Sequence, residues 1–490
     1  MRSPSRSTLG LALALLAVPA AAVAGDPAPA DLAERGDRAG VRALLDRRVD
    51  PNRAQVDGMT ALHWAAIRDD LDLARDLVAA GADARAANRY GVVPLSLACS
   101  NGSGPMVELL LAAGADPAAR LAGGETPLMV AARAGVLGPV RVLLARGVDP
   151  DARERHGQTA LMWAAAEGHT AVVEELLKAG ANFRLALPSG FSPLFFAVRE
   201  GRVDATLALL RAGADVNATI EPKRAVAKGP TRGMSPLILA VENGHFDLAT
   251  ALLDAGADPN DQRSGFTALH TLTWVRKPNR GDDDSGDPAP IGSGAMTSLQ
   301  FAQRLLEHGA DPNARLARGA SGRGVLNRTG ATPTLLAAMT ADVPLLRLLR
   351  EHGADLLRPN ADGATPLMAA AGLGTLAPGE EAGTEDEAIE AVRLLLAWGA
   401  DVNTVDANGE TAMHGAAYKS LPRVVHLLAE RGASVTTWNR PNKYGWTPIA
   451  IAEGHRPGNF KPSPETLGAL RQILDEPSSS RPPLRLDDRK

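Results

Sequence analysis

A pattern of about 33 residues recurs along most of this chain, and repetition at that spacing constrains the fold more than any other feature. Three clear copies are DGMTALHWAAIRDDLDLARDLVAAGAD from Asp57, HGQTALMWAAAEGHTAVVEELLKAGAN from His156 and NGETAMHGAAYKSLPRVVHLLAERGAS from Asn408. Stacked repeats bury apolar surface only against their neighbours, so they extend in one dimension. The length of 490 residues therefore does not imply several globular domains.

Each copy predicts two short helices joined by a turn. A Thr, often followed by Pro, suits the cap and the first position of one helix, which continues through a Leu and an Ala pair. Gly168 lies where that helix must end in a left-handed conformation. The second helix carries one apolar stripe, formed in this copy by Val172, Val173, Leu176 and Leu177.

The pattern resembles the ankyrin repeat family, and the segments that carry the resemblance are TALHWAA, GHTAVVEELLKAGA and GADVN. It covers approximately residues 28–477. The resemblance implies an all-α repeat solenoid, an ankyrin repeat stack of helix-turn-helix units with projecting β-hairpin loops. In this family the concave face of the stack usually binds another protein, so we expect a non-catalytic scaffold for protein–protein interaction.

The irregularities of the pattern predict the domain boundaries. Residues 25–56 form a degenerate N-terminal capping repeat, residues 57–442 form the repeat array, and residues 443–477 form a worn C-terminal capping repeat. The polar, Pro-rich residues 478–490 are predicted to be a disordered tail. Insertions interrupt the array at 219–233, 276–294, 315–330 and 374–387.

The insertions differ in charge. Those at 219–233 and 315–330 are basic, the one at 374–387 is strongly acidic, and the one at 276–294 mixes signs but contains the run DDDSGD. One interpretation is that all four are solvated loops. The other is that charge differs between two edges of the stack and orients a partner.

The N-terminus is typical of an export signal. Arg2 and Arg6 precede the apolar segment Leu9–Ala24, which is short for a membrane span, and AVA at its end fits a cleavage site after Ala24. We therefore expect residues 1–24 to be a signal peptide, with an uncleaved anchor as the alternative. The mature chain is expected to be periplasmic or secreted, with no membrane span. Its richness in Ala, Arg, Gly and Pro is typical of a GC-rich bacterial genome.

Charge and cysteine content narrow the functional classes. Lys plus Arg number 52 and Asp plus Glu number 56, so the chain has no overall positive field that would favour binding to nucleic acid. The expected partner is a protein, and the chain itself is expected to be a monomer. The single cysteine, Cys99, replaces an Ala of the other copies and is predicted to be a small buried residue. It excludes a disulfide within the chain.

No catalytic, cofactor-binding or metal-binding constellation is predicted. The resemblance implies that His63, His270 and His414 tie the hairpin to the first helix. The other histidines follow helix-ending glycines or lie in last turns, except His156 and His426, and none has the spacing of a metal site. The run DDDSGD lacks the spacing and closing Glu of a calcium loop.

The resemblance also implies which side chains line the concave face: those around the hairpin glycine and those after the Ala pair. We expect Tyr90, Arg133, Arg199 and Tyr418 to share this surface, with Phe266 and Trp446 either on it or packed against neighbouring hairpins. The residues predicted to bind the partner are Met59, Arg68, Tyr90, Arg133, Glu167, Phe191, Arg199, Glu200, Met234, Glu242, Phe266, Tyr418, Lys419, Tyr444 and Trp446. Trp64, Trp163 and Phe196 are assigned to the core.

Two further functions remain open at this point. The inserted unit 265–329, with its segment WVRKPNRGDDDSGD, departs most from the repeat and could carry an enzyme or a small-ligand site. A secreted effector that acts on host proteins is a variant of the scaffold hypothesis.

Overall fold

The computed structural model describes residues 27–223, 231–278, 290–319, 325–379, 381–456 and 461–475. The predicted signal peptide at 1–24 and the predicted tail at 478–490 lie outside the described residues. Contacts divide the chain into an N-terminal unit, Met1–Ala214 with Pro222–Pro230, and a C-terminal unit, Asp215–Glu221 with Thr231–Lys490.

The described part of the N-terminal unit alternates between the first and the second helix of successive repeats. Its helices are α1 (Pro29–Arg35), α2 (Arg38–Asp46), α3 (Ala61–Ile67), α4 (Leu71–Ala79), α5 (Pro94–Asn101), α6 (Gly104–Ala112), α7 (Pro127–Ala134), α8 (Leu137–Ala145), α9 (Ala160–Glu167), α10 (Thr170–Lys178), α11 (Pro193–Arg199) and α12 (Val203–Arg211).

The C-terminal unit has the same alternation, with one extra turn of helix, α23, near its end. Its described helices are α13 (Pro236–Glu242), α14 (Phe246–Asp254), α15 (Ala268–Arg276), α16 (Ser298–Glu307), α17 (Pro333–Met339), α18 (Val343–Glu351), α19 (Pro366–Ala370), α20 (Glu385–Ala397), α21 (Ala412–Lys419), α22 (Pro422–Glu430), α23 (Val435–Trp438), α24 (Pro448–Ala452) and α25 (Pro464–Asp475).

Within each unit the helices form two layers. In the N-terminal unit the first helices α3, α5, α7, α9 and α11 pack side by side. The second helices α4, α6, α8, α10 and α12 form a parallel layer in the same way. The C-terminal unit repeats this arrangement. Its first-helix layer is α13, α15, α17, α19, α21 and α24, and its second-helix layer is α14, α16, α18, α20, α22 and α25. The Ala pairs, such as Ala65 and Ala66, are fully buried and allow the first helices to approach closely. The predicted all-α repeat solenoid is confirmed.

The ends of the helices follow the predicted chemistry. Thr159 caps α9 by accepting a hydrogen bond from the backbone N–H of Met162, and Gly168 ends that helix with a φ of 81°. Leu176 of α10 is fully buried between the layers. In the described residues Arg48, Asp69, Ala341 and Ser420 also adopt positive φ without being glycine.

Two sets of polar contacts connect one repeat with the next. In the GADxN motif the Asn amide bridges to the following repeat: Asn260 donates to the Gly309 carbonyl at 2.8 Å and accepts from the Asp311 N–H at 2.7 Å. At the loop tips the backbone bonds to the preceding tip, as in the contact from Arg89 N–H to the Asp57 carbonyl at 2.8 Å. These contacts repeat along each unit, so the loops are held in register with the helices.

The described ends of the long insertions are packed rather than free. Arg276, the last residue of α15, makes two hydrogen bonds to Asp342, at 2.6 and 3.0 Å, and these side chains are 11% and 1% exposed. Lys277 donates to Glu387 at 2.6 Å. The insertion at 276–294 is thus connected to the start of α18 and to that of α20. Of the helices in the described ranges, none is long and apolar enough to cross a membrane.

Candidate functional site

A row of charged side chains lies at the ends of the first helices in the N-terminal unit. Arg68 follows α3, Arg133 is near the end of α7, and Glu167 ends α9; Arg199 and Glu200 lie at the end of α11. All five are exposed. Because the first helices pack side by side, these residues lie along one edge of the unit, and only α5 between them contributes none. We name this set the charged row.

Aromatic rings support two of the arginines in the charged row. The Arg133 guanidinium lies over the Trp163 ring at 5.4 Å from its centroid, and Arg199 lies over Phe191 and Phe196 at 5.3 and 5.2 Å. Such cation–π contacts orient an arginine, and the Arg199 Nε–H also donates to the Glu200 carboxylate at 2.9 Å. Trp163 is only partly buried, whereas Trp64 and Phe196 are buried as predicted.

Three residues that follow hairpin glycines are buried, so the prediction that they are exposed is wrong. Met59 is 7%, Phe191 8% and Met234 2% exposed. This position turns inwards beneath the loop: the Met59 sulfur accepts a hydrogen bond from Asn88, and Phe191 packs on Phe196 at 5.6 Å. The side chains are therefore used for stacking the repeats rather than for contact with a partner.

Tyr418 and Lys419 are buried as well: Tyr418 contacts Glu410 and Asn442, and Lys419 contacts the insertion at 374–387. They are 1% and 6% exposed, although Ile67 and Arg68, which follow the Ala pair of an uninterrupted repeat, are half-buried and exposed. The Lys419 ammonium donates to the Ala382 carbonyl of the insertion at 2.6 Å, and burial lowers the pKa of Lys419. The predicted exposure of both residues is therefore wrong.

The remaining predicted contact residues are accessible to different degrees. Tyr90 is 68% exposed at a loop tip, and Glu242 is exposed at the end of α13. Phe266 packs edge-on against Trp274 at 5.4 Å, and Tyr444 packs against Trp446 at 5.2 Å. These aromatic side chains in the C-terminal unit are partly buried, and both contacts are with rings of the same repeat, whereas the alternative stated above placed Phe266 and Trp446 against neighbouring hairpins.

The histidines of the repeat are structural. His63 donates through Nε2–H to the Val92 carbonyl at 3.0 Å, and His270 donates in the same way to the Ala331 carbonyl at 3.3 Å. Each also pairs through Nδ1 with the capping Thr of its own helix. Burial lowers the pKa of His63 and brings those of His270 and His414 to about 4. These rings are neutral at physiological pH.

Two charged residues of the inserted unit 265–329 are used in contacts with later helices of the C-terminal unit. Arg276 and Lys277 both pair with carboxylates, as described above. The run DDDSGD lies outside the described residues. In the ranges that the structure does describe, no group of three or more His, Cys, Asp or Glu side chains is arranged to hold a metal ion. Cys99 is fully buried, and burial raises the pKa of its thiol to about 12.

Sequence reasoning missed a buried polar cluster in the C-terminal unit. Glu410, which directly precedes Thr411, the cap residue of α21, is 4% exposed, and its Oε1 accepts hydrogen bonds from the Tyr418 hydroxyl at 3.1 Å and from Asn442 at 2.7 Å. Burial raises the pKa of Glu410 to about 7. The available signal was that Glu410 follows a hairpin glycine, the position filled by Met59, Phe191 and Met234 in other repeats. Glu125 and Gln158 occupy the same position in other repeats, so Glu410 is set apart by the burial of its carboxyl group rather than by its residue type.

Comparison with known proteins agrees with this architecture. A family profile described as "Ankyrin repeats (3 copies)" matches residues 31–121, 95–186, 128–220 and 382–459, and one described as "Ankyrin repeat" matches residues 232–263. A solved structure, the human ASB11 ankyrin repeat domain, matches with a TM-score of 0.41 and 26% identity over 47% of this chain and 98% of that one.

Two curated proteins also match in part. A Danio rerio protein named "Putative palmitoyltransferase ZDHHC13" is 31% identical over 32% of this chain, and the Rattus norvegicus "Ankyrin repeat and SAM domain-containing protein 6" is 28% identical over 41%. The match spans 20% of the length of each of these relatives. Because the profiles together cover more than half of the chain and its helices repeat in stacked pairs, the protein belongs to the ankyrin repeat family.

Proposed function

We propose that this protein is an exported, non-catalytic scaffold that binds a protein partner through the charged row and the loop tips. The observation that carries the proposal is the pair of exposed arginines held by aromatic rings, Arg133 over Trp163 and Arg199 over Phe191 and Phe196. Arginine and tryptophan are the residue types that dominate binding energy at protein interfaces. Their geometry is set by helices whose apolar faces are already buried.

The charges of the row give the partner a definite character. Along the repeats the row runs Arg68, Arg133, Glu167, Arg199, Glu200, and Arg199 pairs with Glu200 at 2.9 Å, so a complementary segment would present carboxylates to the arginines and a basic residue to Glu167. Tyr90 extends the surface onto a loop tip, where it is 68% exposed. Planar guanidinium groups favour paired hydrogen bonds to carboxylates, which fixes the register of such a segment.

Crosslinking of the full chain in its native envelope fraction, followed by affinity capture, would identify the partner. Arg133→Ala and Arg199→Ala should each weaken capture by at least tenfold, because losing a central anchor costs about 2 kcal/mol or more. The control is Arg146→Ala, an exposed arginine at the end of the second-layer helix α8. The proposal is wrong if Arg146→Ala abolishes capture while both charged-row variants bind like the parent and melt at the same temperature.

Export rests on the sequence of residues 1–24, and its test is separate. We propose a periplasmic or secreted protein of a bacterium, which begins near Gly25 after cleavage. Fractionation and N-terminal sequencing should find the shortened chain outside the cytoplasm. An intact Met1 on cytoplasmic protein would contradict export without affecting the scaffold proposal.

A further inference from the structure

The buried carboxyl group of Glu410 has one oxygen that the fold leaves unused. Oε1 accepts from Tyr418 and Asn442, but Oε2 is buried and has no hydrogen-bond partner among the residues that the structure describes. A buried acceptor without a partner costs about 1–3 kcal/mol, and more when it is charged. The group therefore needs either a proton or a ligand that can donate to it.

Glu410 Oε2 belongs to a side chain that lines a small cleft in the C-terminal unit. The other polar residues of the lining are Asn327, Asn360, Asp362, Asp406, Asn408 and the tyrosines Tyr418 and Tyr444. The interior of the cleft is about 20 Å³, the room that one water molecule needs. A primary ammonium has nearly the same size as water, whereas a planar guanidinium is too large for the interior.

The charges around the cleft select a cation. Asp362, Asp406 and Glu410 are acidic, and none of the lining residues that the structure describes is Lys or Arg. The carboxylates of Asp362 and Asp406 already accept hydrogen bonds from Asn327 and from the backbone N–H of Asn408, so they are held in place as acceptors. At the rim, the Lys443 ammonium contacts the side-chain oxygen of Asn408 and lies over the Tyr444 ring at 5.1 Å.

We propose that this cleft binds a primary ammonium, that of a lysine side chain on the protein partner, with Glu410 Oε2 as its principal acceptor. The inference rests on the proposed scaffold function for the source of the lysine, but the chemistry of the cleft does not depend on it. The rim contact of Lys443 marks the entry path, because it places an ammonium beside an amide oxygen and an aromatic face. The competing occupants are one water molecule and Lys443 itself.

Binding should depend on pH because the cleft must hold a carboxylate. Burial raises the pKa of Glu410 to about 7; Asn442 and Tyr418 oppose the rise through hydrogen bonds, Asp406 adds to it, and Lys443 opposes it. Burial also raises the pKa of Asp406, with a contribution from Asp362. A lysine ammonium would therefore bind well above neutral pH and poorly below it.

The probe is n-butylammonium chloride, which carries the ammonium of lysine on its aliphatic chain. Added to the full chain at about pH 8, it should raise the melting temperature saturably, and the apparent affinity should fall at least tenfold near pH 5.5, where Glu410 is protonated. Tetramethylammonium chloride at the same ionic strength is the matched salt, since it cannot donate a hydrogen bond. Equal effects of the two salts would overturn the proposal, as would no effect of either, which would leave water or Lys443 as the occupant.

Variants separate the remaining occupants. Glu410→Gln, nearly equal in shape, should abolish the response to n-butylammonium, whereas Glu430→Gln on the exposed face of α22 should keep it. If the parent does not respond but Lys443→Met does, Lys443 fills the cleft and the proposal is wrong. If n-butylammonium binds but no protein is captured, the scaffold proposal fails and the ammonium site stands. If a partner is captured equally by the parent and by Glu410→Gln, the scaffold proposal stands and the assignment of the partner's lysine to this cleft fails.

Discussion

Replacing Leu176 with alanine tests the packing of the repeats most directly. Leu176 is fully buried in α10, which packs between α8 and α12 in the second layer of the N-terminal unit. The adjacent Leu177 has the same chemistry but is only half-buried. The two positions therefore differ in burial alone, and Leu177→Ala is the matched control for Leu176→Ala.

The magnitude follows from the atoms removed and the space they leave. Leu to Ala deletes three carbon groups, and at about 0.8 kcal/mol for each buried methylene the lost transfer energy is about 2.4 kcal/mol. Helices on both sides of α10 prevent collapse of the site, so a cavity penalty brings the total to about 3–5 kcal/mol. Leu177→Ala should cost about 1 kcal/mol because much of its side chain remains in water.

Guanidinium denaturation followed by tryptophan fluorescence measures the difference. The chain can unfold in more than one step, because repeats couple mainly to their neighbours. The midpoint that counts is the one reported by Trp163, in the same repeat as Leu176, with Trp163→Phe used to identify its signal. Equal losses for the two variants, or a larger loss for Leu177→Ala, would show that the register of the second helix is wrong.

Three further outcomes follow from single side chains. Arg48→Gly should stabilise the chain by about 0.5–1 kcal/mol in thermal melts, since it relieves a φ of 55° at some cost in unfolded-state entropy; Arg47→Gly, at negative φ, should not. Between about pH 4.5 and 7 the folded state holds the Glu410 proton more tightly than the unfolded state, so stability should fall as pH rises, by up to about 3 kcal/mol at pH 8. In denaturation measured across this pH range, the Glu410→Gln variant should not show the fall in stability. A stability curve for Glu410→Gln that runs parallel to that of the parent would refute the assignment to Glu410. Arg276→Met should cost about 3–5 kcal/mol in denaturant melts because it leaves a buried carboxylate uncompensated, whereas Arg423→Met at an exposed pair should change stability by less than about 1 kcal/mol.

The sequence by itself determined the local structure of the repeats. Capping residues, helix-ending glycines and apolar stripes are local signals, because they act within a few residues of the backbone groups or neighbours that they satisfy. Thr159, Gly168 and Leu176 have the roles that these patterns predict. The same signals repeat in each copy, so one correct repeat predicts the stacked architecture.

The tertiary structure decided which of the variable positions reach solvent. Residue type indicated exposure correctly for Tyr90, Arg133 and Arg199, whose repeats carry no insertion between their helices. It failed for Lys419, which contacts the insertion at 374–387, and for Tyr418, which contacts Asn442 of the following repeat; no local pattern encodes these contacts between segments. The unused oxygen of Glu410 has the same origin: whether a carboxyl group is paired depends on what the surrounding chain brings to it, and that is set only when the repeats and the insertion pack together.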